Sequence, residues 1–289
     1  MIVITGATGA LNGATADHLL DSTGSEGLVV VARDPAKAQR FAERGVEVRL
    51  GDYARPETLP AAFEGADQLL LVSSSDPSAD AVALHTAAVD AAVTAGVGRV
   101  LYTSHQGASP DTPFGPGRDH AATEAALERS GLAWTSLRNG FYAHSLGWLT
   151  GDWRSTGTIT VPADGPVSWT AREDAAEAAA VVLTRLAAGE TGLDGPLTLT
   201  ADEAPTMADV ARVASQLTGR RVERVIADPQ EWVDAQVRAG RPEGMARFTL
   251  GMHEAAAGGF FAGTSPLLGE LLGRRPRTVR DALAAPAAH

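Results

Sequence analysis

The sequence predicts an α/β fold built on a doubly wound parallel sheet, with a smaller α-rich C-terminal cap. Three observations predict it. Short, nearly continuous apolar runs rich in β-branched residues and leucine recur through the first half, as parallel strands covered on both faces require. Alanine-rich stretches of helical period separate them, which gives right-handed βαβ units. A glycine-rich turn follows the first run directly and leads into the first helix, which is the Rossmann arrangement.

The strand expectations are Ile2–Thr5, Leu28–Ala32, Val46–Arg49, Gln68–Val72, Arg99–Tyr102 and Trp134–Leu137. The helical stretches between them are Thr15–Asp21, Pro35–Arg44, Glu57–Glu64, Asp80–Ala95 and His120–Ser130. After about Phe141 the rhythm breaks. A segment rich in tryptophan and glycine (Trp148, Gly151, Trp153, Gly157) precedes a short strand at Thr158–Val161. Thr170-Ala-Arg-Glu173 has capping-box spacing and should open a helix. Pro196–Thr200 reads as a strand able to return to the main sheet, and helices follow at Met207–Thr218 and Pro229–Ala239. Leu268–Leu272 ends at a Gly273-Arg-Arg-Pro stop. The expected division is a nucleotide-binding part, 1–150, and a cap, 151–289, folded over the carboxyl ends of the strands, where open α/β sheets bind ligands.

Composition narrows the function. A net charge of −11, from 24 Lys plus Arg against 35 Asp plus Glu, argues against a nucleic-acid partner, because phosphate contacts dominate such binding. With no cysteine there is no disulfide, thiolate metal site or cysteine nucleophile. Lys37 is the sole lysine, so a catalytic lysine elsewhere is impossible. No apolar run approaches the roughly 20 residues of a membrane helix, and the N-terminus lacks signal-peptide organisation. The expectation is a soluble, cytoplasmic protein without a membrane partner.

The loop Gly6-Ala7-Thr8-Gly9-Ala10-Leu11, with Gly13 beyond it, is the candidate pyrophosphate cradle. Gly6 permits the sharp turn, Gly9 lets backbone amides approach the phosphates, and the helix N-terminus supplies an anion site. At the tip of the second strand stands Arg33, followed by Asp34 and, one turn on, Lys37. A guanidinium pairs with a ribose 2′-phosphate, which favours NADP(H); Asp34 is the counter-argument, since a carboxylate there would take a ribose hydroxyl.

Several motifs in order resemble the NmrA-like branch of the atypical short-chain dehydrogenases. They are Ile4-Thr-Gly-Ala-Thr-Gly9, Arg33-Asp-Pro-Ala-Lys37, Gly51-Asp-Tyr53, Leu70-Leu-Val-Ser-Ser-Ser75, Tyr102-Thr-Ser104 and Leu137-Arg-Asn-Gly-Phe-Tyr142. The resemblance implies that Asp52 meets the adenine and that Ser73, Ser74 and Ser75 line the ribose and nicotinamide side. It implies that Asn139, Gly140, Phe141 and Tyr142 surround the nicotinamide and that Arg172 is a further cofactor contact. Its expected activity is NADPH-dependent hydride transfer, without flavin, to a quinone or similar planar acceptor. The same branch includes non-catalytic NADP-binding redox sensors, the alternative reading. It leaves room for a homodimer.

The wider superfamily uses Tyr-x-x-x-Lys on the helix after the fifth strand, where the lysine lowers the tyrosine pKa for proton exchange with a carbonyl. The matching residues here are His120-Ala-Ala-Thr-Glu124, so an ordinary alcohol dehydrogenase or epimerase is disfavoured. A quinone needs little protonic help because its reduced product is aromatic. Tyr142, His144 and Trp148, with Phe141, stand where a planar acceptor could stack, and Phe260 and Phe261 could close over it; cap core is the competing reading of the tryptophan and phenylalanines. His105, after Tyr102-Thr-Ser104, is read as a surface-loop residue or a proton donor. No metal is expected, since His253-Glu254 is followed by Ala257 where H-E-x-x-H needs histidine. The Gly258-Gly259 pair is a candidate lid hinge.

Overall fold

Continuous apolar runs become central strands because both of their faces can be covered, and five of the first six predicted strands are buried accordingly. The computed structural model describes residues 1–74, 76 and 79–284. In chain order the first half gives β1 (Ile2–Thr5), α1 (Ala10–Thr23), β2 (Leu28–Ala32), α2 (Gln39–Ala42), β3 (Glu47–Leu50) and α3 (Leu59–Phe63). There follow β4 (Gln68–Leu71), α4 (Ala81–Thr94), β5 (Arg99–His105), α5 (Gly115–Arg129) and β6 (Ala133–Asn139). The second half gives α6 (Leu146–Leu149), α7 (Trp153–Thr156), β7 (Thr158–Val161), α8 (Arg172–Ala187), β8 (Gly195–Leu199), α9 (Met207–Thr218) and β9 (Glu223–Ile226). Four helices close it: α10 (Pro229–Arg238), α11 (Glu243–Ala257), α12 (Leu267–Leu272) and α13 (Val279–Ala284).

Seven strands form one sheet in the order β3-β2-β1-β4-β5-β6-β8. β1 pairs in parallel with both β2 and β4, so the winding reverses at β1, and the glycine loop leaves the sheet at that switch point. The expected return of the segment near 196–200 is observed as β8 beside β6. A separate two-stranded parallel sheet joins β7 to β9.

The described residues divide into two compact units. The first comprises Met1–His105, Asp119–Arg138 and Glu173–Leu197, and its core packs Val3, Val29, Val31, Leu69, Leu71 and Val100 against Leu59, Phe63 and Val89. The second comprises Gln106–Arg118, Asn139–Arg172 and the chain from Thr198 on, around Phe141, Trp153, Trp169, Val210, Met252 and Phe261. Among the described residues no helix is long and apolar enough to cross a membrane.

Several local expectations change. Thr170 does not cap α8: its hydroxyl donates to the Ser168 carbonyl and accepts from Ala201 N–H at 3.0 Å, so it is spent on tying loops of the second unit together. Phe261 is fully buried in that unit's core, and Phe260 packs against the same cluster. Gly258 and Gly259 end α11 in a Schellman motif. Phe260 N–H bonds the Ala255 carbonyl, Gly259 N–H bonds the Ala256 carbonyl, and Gly259 takes φ +80°.

Candidate active site

Four loops of the first unit carry predicted residues at the carboxyl ends of their strands. Gly6 has φ +65°, and a Cβ there would lie 2.6 Å from Val72 Cγ1, so only glycine fits. Gly9 N–H bonds the Gly6 carbonyl at 2.9 Å and closes the turn, and Gly9 caps α1 without any side-chain bond. The first-turn amides of α1 therefore have no intrahelical partner, and no acidic residue precedes them. Thr8, Gly9 and Ala10 are exposed, whereas Ala7 is buried behind them. A glycine-lined, exposed helix N-terminus with orphan amides fits a dinucleotide pyrophosphate.

Residues not singled out from the sequence hold this loop. Asn12, 1% exposed, donates from Nδ2 to the Thr5 carbonyl at 2.9 Å. The Thr5 hydroxyl accepts from Val72 N–H at 2.8 Å and lies 2.7 Å from the Tyr53 hydroxyl. Burial pushes the Tyr53 phenol upward, so it stays protonated. Tyr53 lies in the Gly51-Asp-Tyr53 motif, and that motif was the available signal.

After β2, Arg33 and Lys37 are both exposed, and among the described residues neither side chain has a hydrogen bond or ion pair. Asp34, the competing ribose ligand, turns its Oδ1 to Ala36 N–H at 3.1 Å and caps the short 3-10 turn that follows. Asp52 is committed in a similar way: it accepts from Ala54 N–H at 3.1 Å and pairs with Arg55 at 3.3 Å. Ser73 N–H bonds Thr103 Oγ1 at 2.9 Å and Ser74 N–H bonds His85 Nε2 at 2.7 Å. Ser75 lies outside the described residues.

The helix after β5 carries no Tyr/Lys pair, and both positions are engaged inside the first unit. His120 Nδ1 lies 2.8 Å from the Tyr102 hydroxyl, and burial holds its pKa well below the ordinary value. His105 belongs to this group: its ring stacks on that of His120 with centroids 6.1 Å apart, and burial lowers its pKa to about 4. Glu124 is 6% exposed and accepts from Ser104 Oγ at 2.7 Å, Ser136 Oγ at 2.6 Å and Arg138 Nε at 3.0 Å, with a second bond from Arg138 to its other oxygen.

In the second unit the segment after β6 is assembled around Thr170. Gly140 is obligatory, because a Cβ would overlap Thr170 Oγ1 and lie 2.6 Å from the Ser168 carbonyl oxygen. Thr170 N–H bonds the Phe141 carbonyl at 2.8 Å and Ala143 N–H bonds the Thr170 carbonyl at 2.9 Å, which fixes the backbone of Tyr142 from both sides. The Phe141 ring turns into the core against Phe114, Trp169 and Phe261, so its place is structural and only its backbone borders the segment. Tyr142 and His144 stack with centroids 5.7 Å apart, and the Arg172 charge acts on the Tyr142 hydroxyl. Trp148 is exposed, with the Arg241 guanidinium 6.0 Å from its ring centroid.

Comparison with known proteins agrees with this geometry. A sequence family described as NAD(P)H-binding matches residues 6–186. An NmrA-like family domain-containing oxidoreductase of Aspergillus flavus is 32% identical over 290 residues, covering 97% of this chain and 93% of that protein. Quinone oxidoreductase 2 of Escherichia coli is 32% identical over 285 residues, covering 98% and 97%. The crystal structure of an Escherichia coli NADPH-dependent quinone oxidoreductase complexed with NADPH superposes with a TM-score of 0.90 at 30% identity, covering 98% of this chain and 99% of that one. The resemblance read from the motifs is borne out, and with it the NAD(P)H cofactor. Between enzyme and non-catalytic sensor, the oxidoreductase relatives decide for the enzyme.

Proposed function

From the premise that this chain belongs to the NAD(P)H-binding family and is an NmrA-like oxidoreductase, we propose that it reduces a quinone or similar planar acceptor with NADPH directly, without flavin. One observation carries the acceptor class. The two positions that would hold a proton-donating Tyr/Lys pair instead hold His120, bound to Tyr102, and Glu124, bound to Ser104, Ser136 and Arg138. Neither can lower the pKa of a phenol at the reacting carbonyl. The favoured acceptor is therefore one whose reduction is driven by its own aromatisation. The similarity to quinone oxidoreductase 2 supports the same reading.

When bound, the reduced nicotinamide supplies a hydride. The residues of the chain bind and orient. The amides of Ala10 and Leu11 receive the pyrophosphate, and Arg33 with Lys37 receives the 2′-phosphate. In the first unit, Ser73 and Ser74 border the ribose and nicotinamide side. The Tyr142–His144 pair offers an aromatic surface on which a flat acceptor can stack. Catalysis then rests on proximity, with solvent completing the protonation.

The decay of reduced-nicotinamide absorbance with NADPH and a simple benzoquinone tests this, on protein shown by its absorption spectrum to carry no flavin. A rate above background that added flavin does not increase is expected. Tight NADPH binding with no oxidation of NADPH by benzoquinone would overturn it.

A further inference from the structure

The reductase reading leaves open which group meets the negative charge that develops on the acceptor. We propose that the Tyr142 hydroxyl donates a hydrogen bond to that atom, and that Asn139 is the residue that positions it. The inference rests on the reductase reading.

The geometry begins at the end of β6. Asn139 is 2% exposed, and its Nδ2 donates to the Tyr142 hydroxyl oxygen at 3.2 Å. A phenol that accepts from an amide keeps its own O–H for another partner. Among the described residues that O–H has none. Asn139 Oδ1 is also buried without a hydrogen-bond partner. The orphaned, buried Asn139 oxygen beside the half-buried phenol marks a side that a ligand completes, because buried polar groups are otherwise satisfied.

The segment is built to hold the phenol still. The bonds of Thr170 to Phe141 and Ala143 flank it in the backbone, Gly140 admits Thr170 closely, and the Phe141 ring anchors the turn in the core. A preplaced donor is worth more than a mobile one, because no reorganisation accompanies the reaction. The His144 ring lies against the phenol, and Arg172 is the charged group acting on it.

The phenol acts without ionising. Burial outweighs the Asn139 bond and the Arg172 charge and pushes its pKa up to about 12. The acceptor takes up a hydride, which brings two electrons and one hydrogen, and one proton from water. A quinone thereby becomes a hydroquinone, and the Tyr142 O–H bond is not broken. Tyr142 thus stabilises the negative oxygen from a loop after β6, a role for which α5 lacks the residues.

The test uses the holoprotein saturated with NADP⁺ and a 4-nitrophenolate probe as a stand-in for the reduced acceptor anion. The wild type is expected to bind the probe about tenfold or more tightly than Tyr142→Phe, and to shift its absorption band where the variant does not. In turnover, Tyr142→Phe should lose about 10²-fold in kcat, with NADPH affinity and melting temperature unchanged. Asn139→Ala should lose less and weaken the spectral shift. Equal probe binding and equal kcat in wild type and Tyr142→Phe would overturn the inference alone. A wild type that binds NADPH yet reduces no acceptor would overturn the reductase reading and this inference with it. Should Tyr142→Phe fold poorly, a more acidic fluorinated tyrosine at 142 serves instead. Activity falling at lower alkaline pH than in the wild type is expected, and an unchanged pH profile would refute the assignment.

Discussion

The Tyr102 hydroxyl lies 2.8 Å from His120 Nδ1 and 3.4 Å from His85 Nδ1, which joins the two imidazoles in one buried network. Ser74 N–H donates to His85 Nε2, so that nitrogen carries no proton and His85 holds its hydrogen on Nδ1. From there it donates to Thr123 Oγ1 at 2.8 Å, and Thr123 donates in turn to the Asp119 carbonyl at 2.8 Å. Protonating His85 would put two donors head to head at Ser74.

An acid-sensitive stability follows. Burial lowers His85 and His253 to about 4, and both side chains are almost fully inaccessible. The unfolded chain binds protons near pH 6.5, above the folded values, so stability is full above that pH and falls as pH drops from about 6.5 towards 4. Together the two should cost on the order of 2–4 kcal/mol between pH 7 and pH 5. Urea unfolding across that range should show the loss, and a flat profile would contradict it.

Glu124 leads to a different expectation. A buried carboxylate holding Arg138, Ser104 and Ser136 is structural, although its position corresponds to a catalytic lysine in the wider superfamily. It also raises the Arg138 pKa. Glu124→Gln leaves the guanidinium without its counter-charge and should destabilise by about 3 kcal/mol. Differential scanning fluorimetry should report a lowered melting temperature, while calorimetry should find NADPH affinity unchanged.

The sequence made the sheet and the glycine loop legible because their signals are local. β1 and β2 are unbroken apolar runs, and Gly6 stands directly after the first of them. β9 was not legible: Glu223–Ile226 is exposed throughout and shows no apolar face. α11 was missed because its buried stripe is Ala246, Thr249, Met252, His253 and Ala256, mostly small or polar residues that carry little periodic signal. In the candidate site, the place of Arg33 just after β2 was readable, since it follows an unbroken apolar run. The partners of Glu124 were not, because they come from β5 and β6 and meet it only through tertiary packing.

Gly140 shows how a plain-looking Asn-Gly pair is fixed by packing rather than by a turn. The Cβ of Gly140→Ala would collide with Thr170 Oγ1 and the Ser168 carbonyl, both backbone-anchored and unable to yield cheaply. The substitution should cost about 2–3 kcal/mol and weaken the Thr170 bonds that hold Tyr142. Hydrogen exchange at Thr170 and Ala143 should speed up in the variant, and unchanged protection there would count against this coupling.

Arg33 is the residue proposed to set the coenzyme preference. Its guanidinium is exposed and uncommitted, Lys37 stands one turn further on, and Asp34 has turned its carboxylate to Ala36 N–H. That bond leaves Asp34 with only its other oxygen for a ribose 2′-hydroxyl, whereas two exposed cations suit a 2′-phosphate. A charge-assisted bidentate pair contributes about 1.5–3 kcal/mol. Arg33→Ala should therefore raise the NADPH dissociation constant about 10- to 100-fold and leave that for NADH nearly unchanged. Raising the salt concentration should weaken NADPH binding to the wild type more than to the variant, since an exposed ion pair is screened. Equal losses for both coenzymes would move the 2′-phosphate elsewhere and leave Arg33 as a solvated surface cation.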